Sequence, residues 1–306
     1  MKKKLTWERF SIDLKRNYQK YLIILPIIVF YILFDYKPMY GVIIAFKNFR
    51  PVLGIEGSKW VGLDNFTRFF NDVNCFRVIK NTLTINFLQL IFGFPMPIIL
   101  ALLLNEVKNM AFKKTVQTIT YMPHFIATMI LCGMLTSFSE TNGLFNVIGS
   151  WFGATRTNLL MKSSAYYPLY IGSGIWKNIG WDSIIFLAAL SGIDQEQYEA
   201  AKVDGAGRMK QMIYITLPGL LPTVAILLIL RMGSLMSEGY EKTLLLYQPI
   251  TYEVSDIIST YVYRKGLIDG NYSYSTAIGL FNSGVNLILM RTANWFSKKA
   301  GQSGLF

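Results

Sequence analysis

Six long apolar blocks, separated by polar connections, organise the chain: about 21–46, 80–105, 114–138, 168–192, 217–237 and 273–296. Each runs for roughly 20 residues or more, the length at which a helix rising 1.5 Å per residue crosses a hydrocarbon core about 30 Å thick. The pattern predicts an all-α integral membrane protein with six transmembrane helices. In the first block, Pro26 and Pro38 stand with Asp35 and Lys37, which predicts a kink or an exit from the membrane near Asp35.

The connections alternate in charge. Lys2, Lys3, Lys4, Arg9, Lys15, Arg16 and Lys20 precede the first block; Lys108, Lys113 and Lys114 follow the second; Lys202, Arg208 and Lys210 follow the fourth; Lys298 and Lys299 follow the sixth. Basic residues at span ends mark the cytoplasmic side, so both termini are expected there. The longer segments 47–79, 139–167 and 238–272 then lie outside. They hold Trp60, Trp151, Tyr166, Tyr167, Tyr252, Tyr261 and Tyr263, read as rings at the membrane interface or as docking and sugar-stacking surfaces. Lys47, Arg50, Lys59, Arg68 and Arg77 also fall outside, offset in part by Glu56, Asp64 and Asp72. The basic start resembles a signal peptide, but no small-residue cleavage site follows, and the first block is read as an uncleaved span. The chain divides into a basic cytoplasmic tail (1–20), a first helix with its outer loop (21–79), a five-helix core (80–296) and a cytoplasmic tail (297–306).

Composition narrows the function. With 52% hydrophobic residues and a mean hydropathy of +0.35, the chain is too apolar for an ordinary soluble protein. A net charge of +12 brackets the apolar blocks instead of forming one stripe, which argues against nucleic acid. Cys75 and Cys132 lie far apart and predict neither disulfide framework nor metal site. His124, the one histidine, sits in an apolar run, where helix packing or pathway lining is favoured over a proton relay.

The segment joining the fourth and fifth blocks carries the chemistry. Asp194 with Gln197 three residues on has the form of a capping box, so a short helix is expected to begin there. Gly205 supplies its stop, a second helical stretch begins near Arg208, and Leu217-Pro218 marks a turn into the fifth span. The short helix presents the small residues Ala200 and Ala201 beside the carboxylate of Glu199, a surface on which another protein can seat closely and make a charge-assisted bond. From the residues alone, an ordinary amphipathic connector accounts for it equally well.

Glu199-Ala200-Ala201, three residues, Gly205, nine residues, Ile215, one residue and Leu217-Pro218 together resemble the EAA signature of ABC importer permeases. Asp204-Gly205-Ala206 and Trp60-Val61-Gly62-Leu63-Asp64-Asn65-Phe66 are similar to stretches of its sugar branch. The region Tyr252 to Arg264 and the ending Gly301 to Phe306 resemble the LplB/YtcP-like subfamily. The resemblance implies a type I, MetI-like permease fold. It makes 194–216 the coupling element that docks on an ATP-hydrolysing subunit, with Glu199 as polar anchor and Ala200, Ala201, Asp204, Gly205, Leu217 and Pro218 as its other signature positions. It further implies a second homologous permease, two P-loop ATPase subunits, an extracellular lipid-anchored or periplasmic substrate-binding protein, and an oligosaccharide cargo. The sequence contains no G-x-x-x-x-G-K-S/T phosphate loop. No cofactor is therefore expected on this chain, with ATP and Mg bound by the partner ATPase, and the chain is expected not to be an enzyme. A bacterial plasma-membrane location follows from the same resemblance.

Polar residues within spans are costly and mark candidate pathway positions. Lys177 and Asp182 lie five apart in the fourth block, and Arg231 and Glu238 seven apart at the fifth. An Arg231 to Asp182 pair across helices is one arrangement, and charges that merely hold the bundle together are the other. Trp176, Trp181, Tyr240, Asn282 and Asn286 add aromatic platforms and hydroxyl-binding groups. The rival reading is a secondary transporter driven by an ion gradient through Asp182 and Arg231; it leaves the Glu199 to Pro218 pattern unexplained.

Overall fold

In a computed structural model, residues 7–237, 239–301 and 304 are described. Lys2 to Lys4, Glu238, Gln302, Ser303, Leu305, Phe306 and the side chain of Arg9 lie outside the described residues. Helices dominate: α1 (Trp7–Arg16), α2 (Tyr18–Phe46), α3 (Asp64–Phe70), α4 (Cys75–Glu106), α5 (Met110–Phe125), α6 (Thr128–Ser139), α7 (Leu144–Trp151), α8 (Ser163–Ser191), α9 (Gln195–Val203), α10 (Arg208–Ser234), α11 (Tyr240–Leu246), α12 (Ile258–Tyr263) and α13 (Tyr272–Lys299).

Among the described residues, α2, α4 and α10 are long and apolar enough to cross a membrane, with a fourth such span if α5 and α6 count as one. The block 114–138 is therefore not the straight helix its apolarity predicts. It bends by 94° between α5 and α6, where a 3-10 turn, Met122–Phe125, with Pro123 as its second residue, ends at an extended Ile126. The helices α8 and α13, 29 and 28 residues long, suffice in length. Lys177, Asn178 and Asp182 in one, and Asn282, Asn286 and Asn294 in the other, make them more polar.

Proline shapes all three spanning helices in the same way. Each contains a five-residue π-turn, Ile32–Tyr36, Gln89–Gly93 or Met212–Thr216, and in each a proline, Pro38, Pro95 or Pro218, stands two residues beyond it. A proline ring collides with the carbonyl four residues earlier, and widening the preceding turn relieves the collision without ending the helix. This explains one difference from the sequence expectation: the chain does not turn at Leu217-Pro218, and α10 runs through it as a continuous helix. Near Asp35, α2 stays helical through its π-turn.

Glycine sets the closest crossing. A Cβ on Gly180 would collide with the backbone carbonyl of Thr120, so α8 and α5 touch through bare backbone. By contrast, α2 buries no residue from Tyr18 to Tyr36 inside the chain.

The segments 47–74 and 239–271 hold further short elements between the long helices. A two-stranded antiparallel ribbon, β1 (Lys47–Arg50) and β2 (Ser58–Trp60), adds a minor sheet to the helical class, pairing Lys47 with Trp60. The stretch Trp60 to Phe66 closes the end of α2. Gly62 takes φ +62°, Trp60 stacks on Phe46 at 5.8 Å, and buried Asn65 donates from Nδ2 to the carbonyls of Ala45 (2.9 Å) and Lys47 (3.1 Å).

Two of the expected interface rings prove to be core. Tyr166 and Tyr261 are each 1% exposed, whereas Trp60 and Trp151 face outward. The Tyr261 hydroxyl donates to Asp72 at 2.6 Å, as does that of Tyr274 at 2.8 Å. Nearby, buried Asp256 pairs with Arg264 at 2.6 Å and Arg77 at 3.5 Å. These bonds satisfy carboxylates that would otherwise be costly to bury.

Candidate functional site

The segment after α8 folds as a free-standing helix with both ends finished locally. At its start the Asp194 carboxylate accepts from the amide of Glu196 at 3.0 Å, which satisfies one orphan donor. The partner in the cap is thus the backbone of Glu196, and Gln197 contributes its amide to the Asp194 carbonyl at 3.3 Å. At its end Gly205 takes φ +72°. The Gly205 amide donates to Lys202 at 3.1 Å and the Ala206 amide to Ala201 at 2.8 Å, a Schellman stop. No atom lies within 4 Å of where a Gly205 Cβ would stand. The glycine is needed for its left-handed backbone and not for space.

The outward face of α9 is open: Glu199, Ala200 and Asp204 are exposed, and Ala201 is half-buried. Its inner face is tied to the root of α10. The hydroxyls of Tyr198 and buried Thr216 lie 3.0 Å apart, and Thr216 closes the π-turn that precedes Leu217 and Pro218. The Ile193 side chain fills the gap over Gly219, where an added Cβ would come 2.6 Å from Ile193 Cδ1. Gln211 Nε2 donates to the Ala206 carbonyl at 2.7 Å. Three contacts thus join α9 and its flanks to α10, and no slack loop separates them. Tyr198, Ile193 and Thr216 escape sequence reading because only packing distinguishes them from their neighbours.

The second region is a pair of adjoining cavities along α8, apolar in much of their lining but with charged and amide groups among it. One, about 310 Å³, is lined by Gln89, Asn178, Asp182, Arg231 and Ser234 among others. The other, about 210 Å³, is lined by Thr128, Lys177, Asn178, Tyr240, Glu241 and Lys242 among others. Gly174 and Asn178 belong to both. Gly174, Asn178 and Asp182 follow one another at four-residue steps, which puts them on one stripe of the helix, with Lys177 beside it.

The sequence-predicted pathway residues separate on this geometry. Asp182 and Arg231 line the larger cavity; Lys177 and Tyr240 line the smaller. Trp176 lies in an apolar groove of about 380 Å³ with Leu131, Met134 and Phe138. Trp181 stacks on His124 at 4.5 Å with the rings 2° from parallel, and the His124 Nδ1 lies 3.2 Å from Asn178 Oδ1. That contact gives the lone histidine a packing partner beside the cavities. Buried Asn282 and Asn286 bind the end of α10: Asn286 Oδ1 accepts from the Met236 amide at 2.8 Å, and both side-chain amides donate to Ser237 Oγ. Gln89, Asn178 and Lys242 were not among the residues singled out from the sequence. Lys242 in particular falls in a stretch that hydropathy assigns to an outer loop, and nothing local signals its return toward α8.

This architecture meets its match in known proteins. Residues 93–302 fit the model of the binding-protein-dependent transport system inner membrane component family. The chain is 44% identical over 305 residues to the polygalacturonan/rhamnogalacturonan transport system permease protein YteP of Bacillus subtilis, covering 99% of this chain and 95% of the relative. It is also 44% identical over 294 residues to Protein LplB of Bacillus subtilis, covering 96% and 92%. A solved bacterial alginate ABC transporter, in complex with an alginate pentasaccharide-bound periplasmic protein, contains a chain that superposes with a TM-score of 0.89 at 43% identity. That match covers 97% of this chain and 100% of the other.

The chain therefore belongs to the membrane-integral permeases of binding-protein-dependent transport systems. It is the permease of an ATP-driven importer, and the ion-gradient transporter reading is set aside.

Proposed function

We propose that this permease imports an oligosaccharide handed over by an extracellular binding protein, in a core formed with a second homologous permease and driven by two P-loop ATPase subunits. The cargo class follows the relatives, whose names specify polygalacturonan/rhamnogalacturonan and alginate. ATP and Mg belong to the ATPase subunits. Both termini lie in the cytoplasm with six spans between them, so that α9 faces the ATPases and the cavities along α8 lie on the cargo's path.

The observation that carries this reading is α9 itself: an exposed helix with Glu199 and Ala200 on its outer face, stopped at Gly205 and fastened to α10 through Tyr198 and Thr216. Closure of the ATPases on ATP moves α9 as a rigid body, and α10 follows. The bundle then exchanges between two packings that differ in their contacts with ATPase and binding protein. Glu199 anchors the docked helix through a charge-assisted bond.

Reconstitution of the whole importer in vesicles tests this. Glu199→Ala is expected to lower binding-protein-stimulated ATP hydrolysis and sugar uptake by about tenfold, the equivalent of roughly 1.4 kcal/mol of docking energy. Uptake and stimulation equal to wild type would sink the assignment of Glu199.

A further inference from the structure

The smaller cavity holds two ammonium groups, and among the described residues neither is paired with a carboxylate. Lys242 Nζ donates to the Tyr170 carbonyl at 2.5 Å and stands 4.4 Å from the centre of the Tyr170 ring. Lys177 Nζ donates to Thr128 Oγ1 at 3.2 Å. Among the described residues no Asp or Glu oxygen lies within 4.0 Å of either nitrogen. Glu241 lines the same cavity, but its side chain is exposed. An ammonium carries three donors, so each lysine keeps donors in hand beyond the one bond described.

Holding two like charges at one partly buried cavity is unfavourable unless something else repays it. The carbonyl and ring face of Tyr170 stabilise the Lys242 cation in part, but they do nothing for the repulsion between the lysines. Gly174 shows that the space is kept open. A Cβ there would come 3.4 Å from Lys242 Nζ and 3.2 Å from Gln89 Oε1. The bare backbone thus lets the ammonium of one cavity and the amide of the other stand at a common junction.

We infer that Lys242 and Lys177 form a carboxylate-binding subsite on the transport path, with Gln89 at its border, which selects acidic oligosaccharide chains over neutral ones. This rests on the sugar-importer reading and adds to it the residues that recognise charge. A carboxylate on a hexuronate ring supplies two acceptor oxygens and the missing counter-charge, while the hydroxyls of the chain suit the amides of Gln89 and Asn178.

The test uses the assembled importer in detergent without its binding protein, titrated with an oligogalacturonate and with the same chain after reduction of its carboxyls to alcohols. Wild type is expected to bind the acidic chain at least about tenfold more tightly. Lys242→Gln should weaken binding of the acidic chain by several-fold more than binding of the reduced chain, abolishing most of that preference, and Lys242→Arg should restore it. Lys177→Gln is expected to act in the same direction, which keeps the test alive if the first variant fails to assemble. An unchanged preference in both glutamine variants would overturn the subsite, and so would equal losses for both chains. Wild type binding both chains alike would also overturn it while sparing the importer reading, whereas wild type binding neither would overturn the sugar cargo as well.

Discussion

The short helix α9, proposed to dock on the ATPase, and the cavity face of α8 are specified by the sequence in different ways. Everything that defines α9 is local: its cap is Asp194, its stop is Gly205, and its anchor surface is Glu199 to Ala201. The cavity face is assembled from afar. Gln89 arrives on α4, Arg231 on α10 and Lys242 on α11, and they meet only because α8 offers Gly174, Asn178 and Asp182 on one stripe. On the proposed reading, the first region meets a protein surface and can be specified by a short helix, whereas the second encloses a cargo and needs several elements at once.

The sharpest way to break this contrast is to attack the crossing on which the assembled region depends. Gly180→Leu places a side chain against the Thr120 carbonyl and forces α8 away from α5. Overpacking of this kind costs about 3 kcal/mol, and loss of monodisperse assembled importer on size-exclusion chromatography is expected. Gly172 on the same helix has open space around its Cβ position, so Gly172→Ala should assemble normally. Equal yields from Gly180→Leu and wild type would show that the crossing does not hold the cavity face together.

The next effect falls on the local region. Gly205→Val forces a β-branched residue to φ +72° and is expected to cost about 1–3 kcal/mol. The strain unwinds the end of α9, so binding-protein-stimulated ATP hydrolysis should fall by about tenfold or more in reconstituted vesicles, with assembly retained. Gly207→Ala, at an ordinary φ of −68° with open space, should be silent. A silent Gly205→Val would mean that the stop of the helix is dispensable for docking.

The same contrast explains how much was legible in the sequence. The long apolar helices and the short capped helix α9 depend on windows of neighbouring residues, and hydropathy and spacing report them. The bend between α5 and α6 was missed because apolarity sets burial and not direction, and one Pro123 in an apolar run reads as a tolerated kink. The continuous helix through Leu217-Pro218 was missed because a proline is an end signal until a π-turn before it absorbs the clash. Tyr261 looked like an interface ring because its partner, Asp72, lies far off in the chain. Lys242 was hidden for the same reason. Distant partners leave no periodic trace.

A smaller effect probes the joint between α9 and α10, through which the proposed motion would pass. Tyr198→Phe removes the hydroxyl facing Thr216 and keeps the ring, a change worth about 1 kcal/mol. Docking should survive, since Glu199 and the outer face of α9 are untouched. Transmission should not, so more ATP is expected to be hydrolysed per sugar imported. An unchanged ratio would mean that packing of Ile193 over Gly219 carries the motion alone.

The smallest effect comes from a region that belongs to neither side of the contrast. Burial works to raise the Asp72 carboxyl, but the hydrogen bonds from Tyr261, the Asn74 amide and Tyr274 outweigh it and bring it from an ordinary 3.8 down to about 2. A carboxylate depressed by folding contributes stability that is fully present above its unfolded value and is lost as pH falls through the folded one. Asp72→Asn should therefore lower the thermal midpoint at pH 7, and the gap from wild type should close between pH 3.8 and about 2. The clasp touches neither α9 nor the cavities, so the ATP used per sugar at pH 7 should stay at the wild-type value. A variant that matched wild type in stability but altered that ratio would show that the clasp takes part in coupling, and the division of labour between α9 and the cavity face would have to be redrawn to include it.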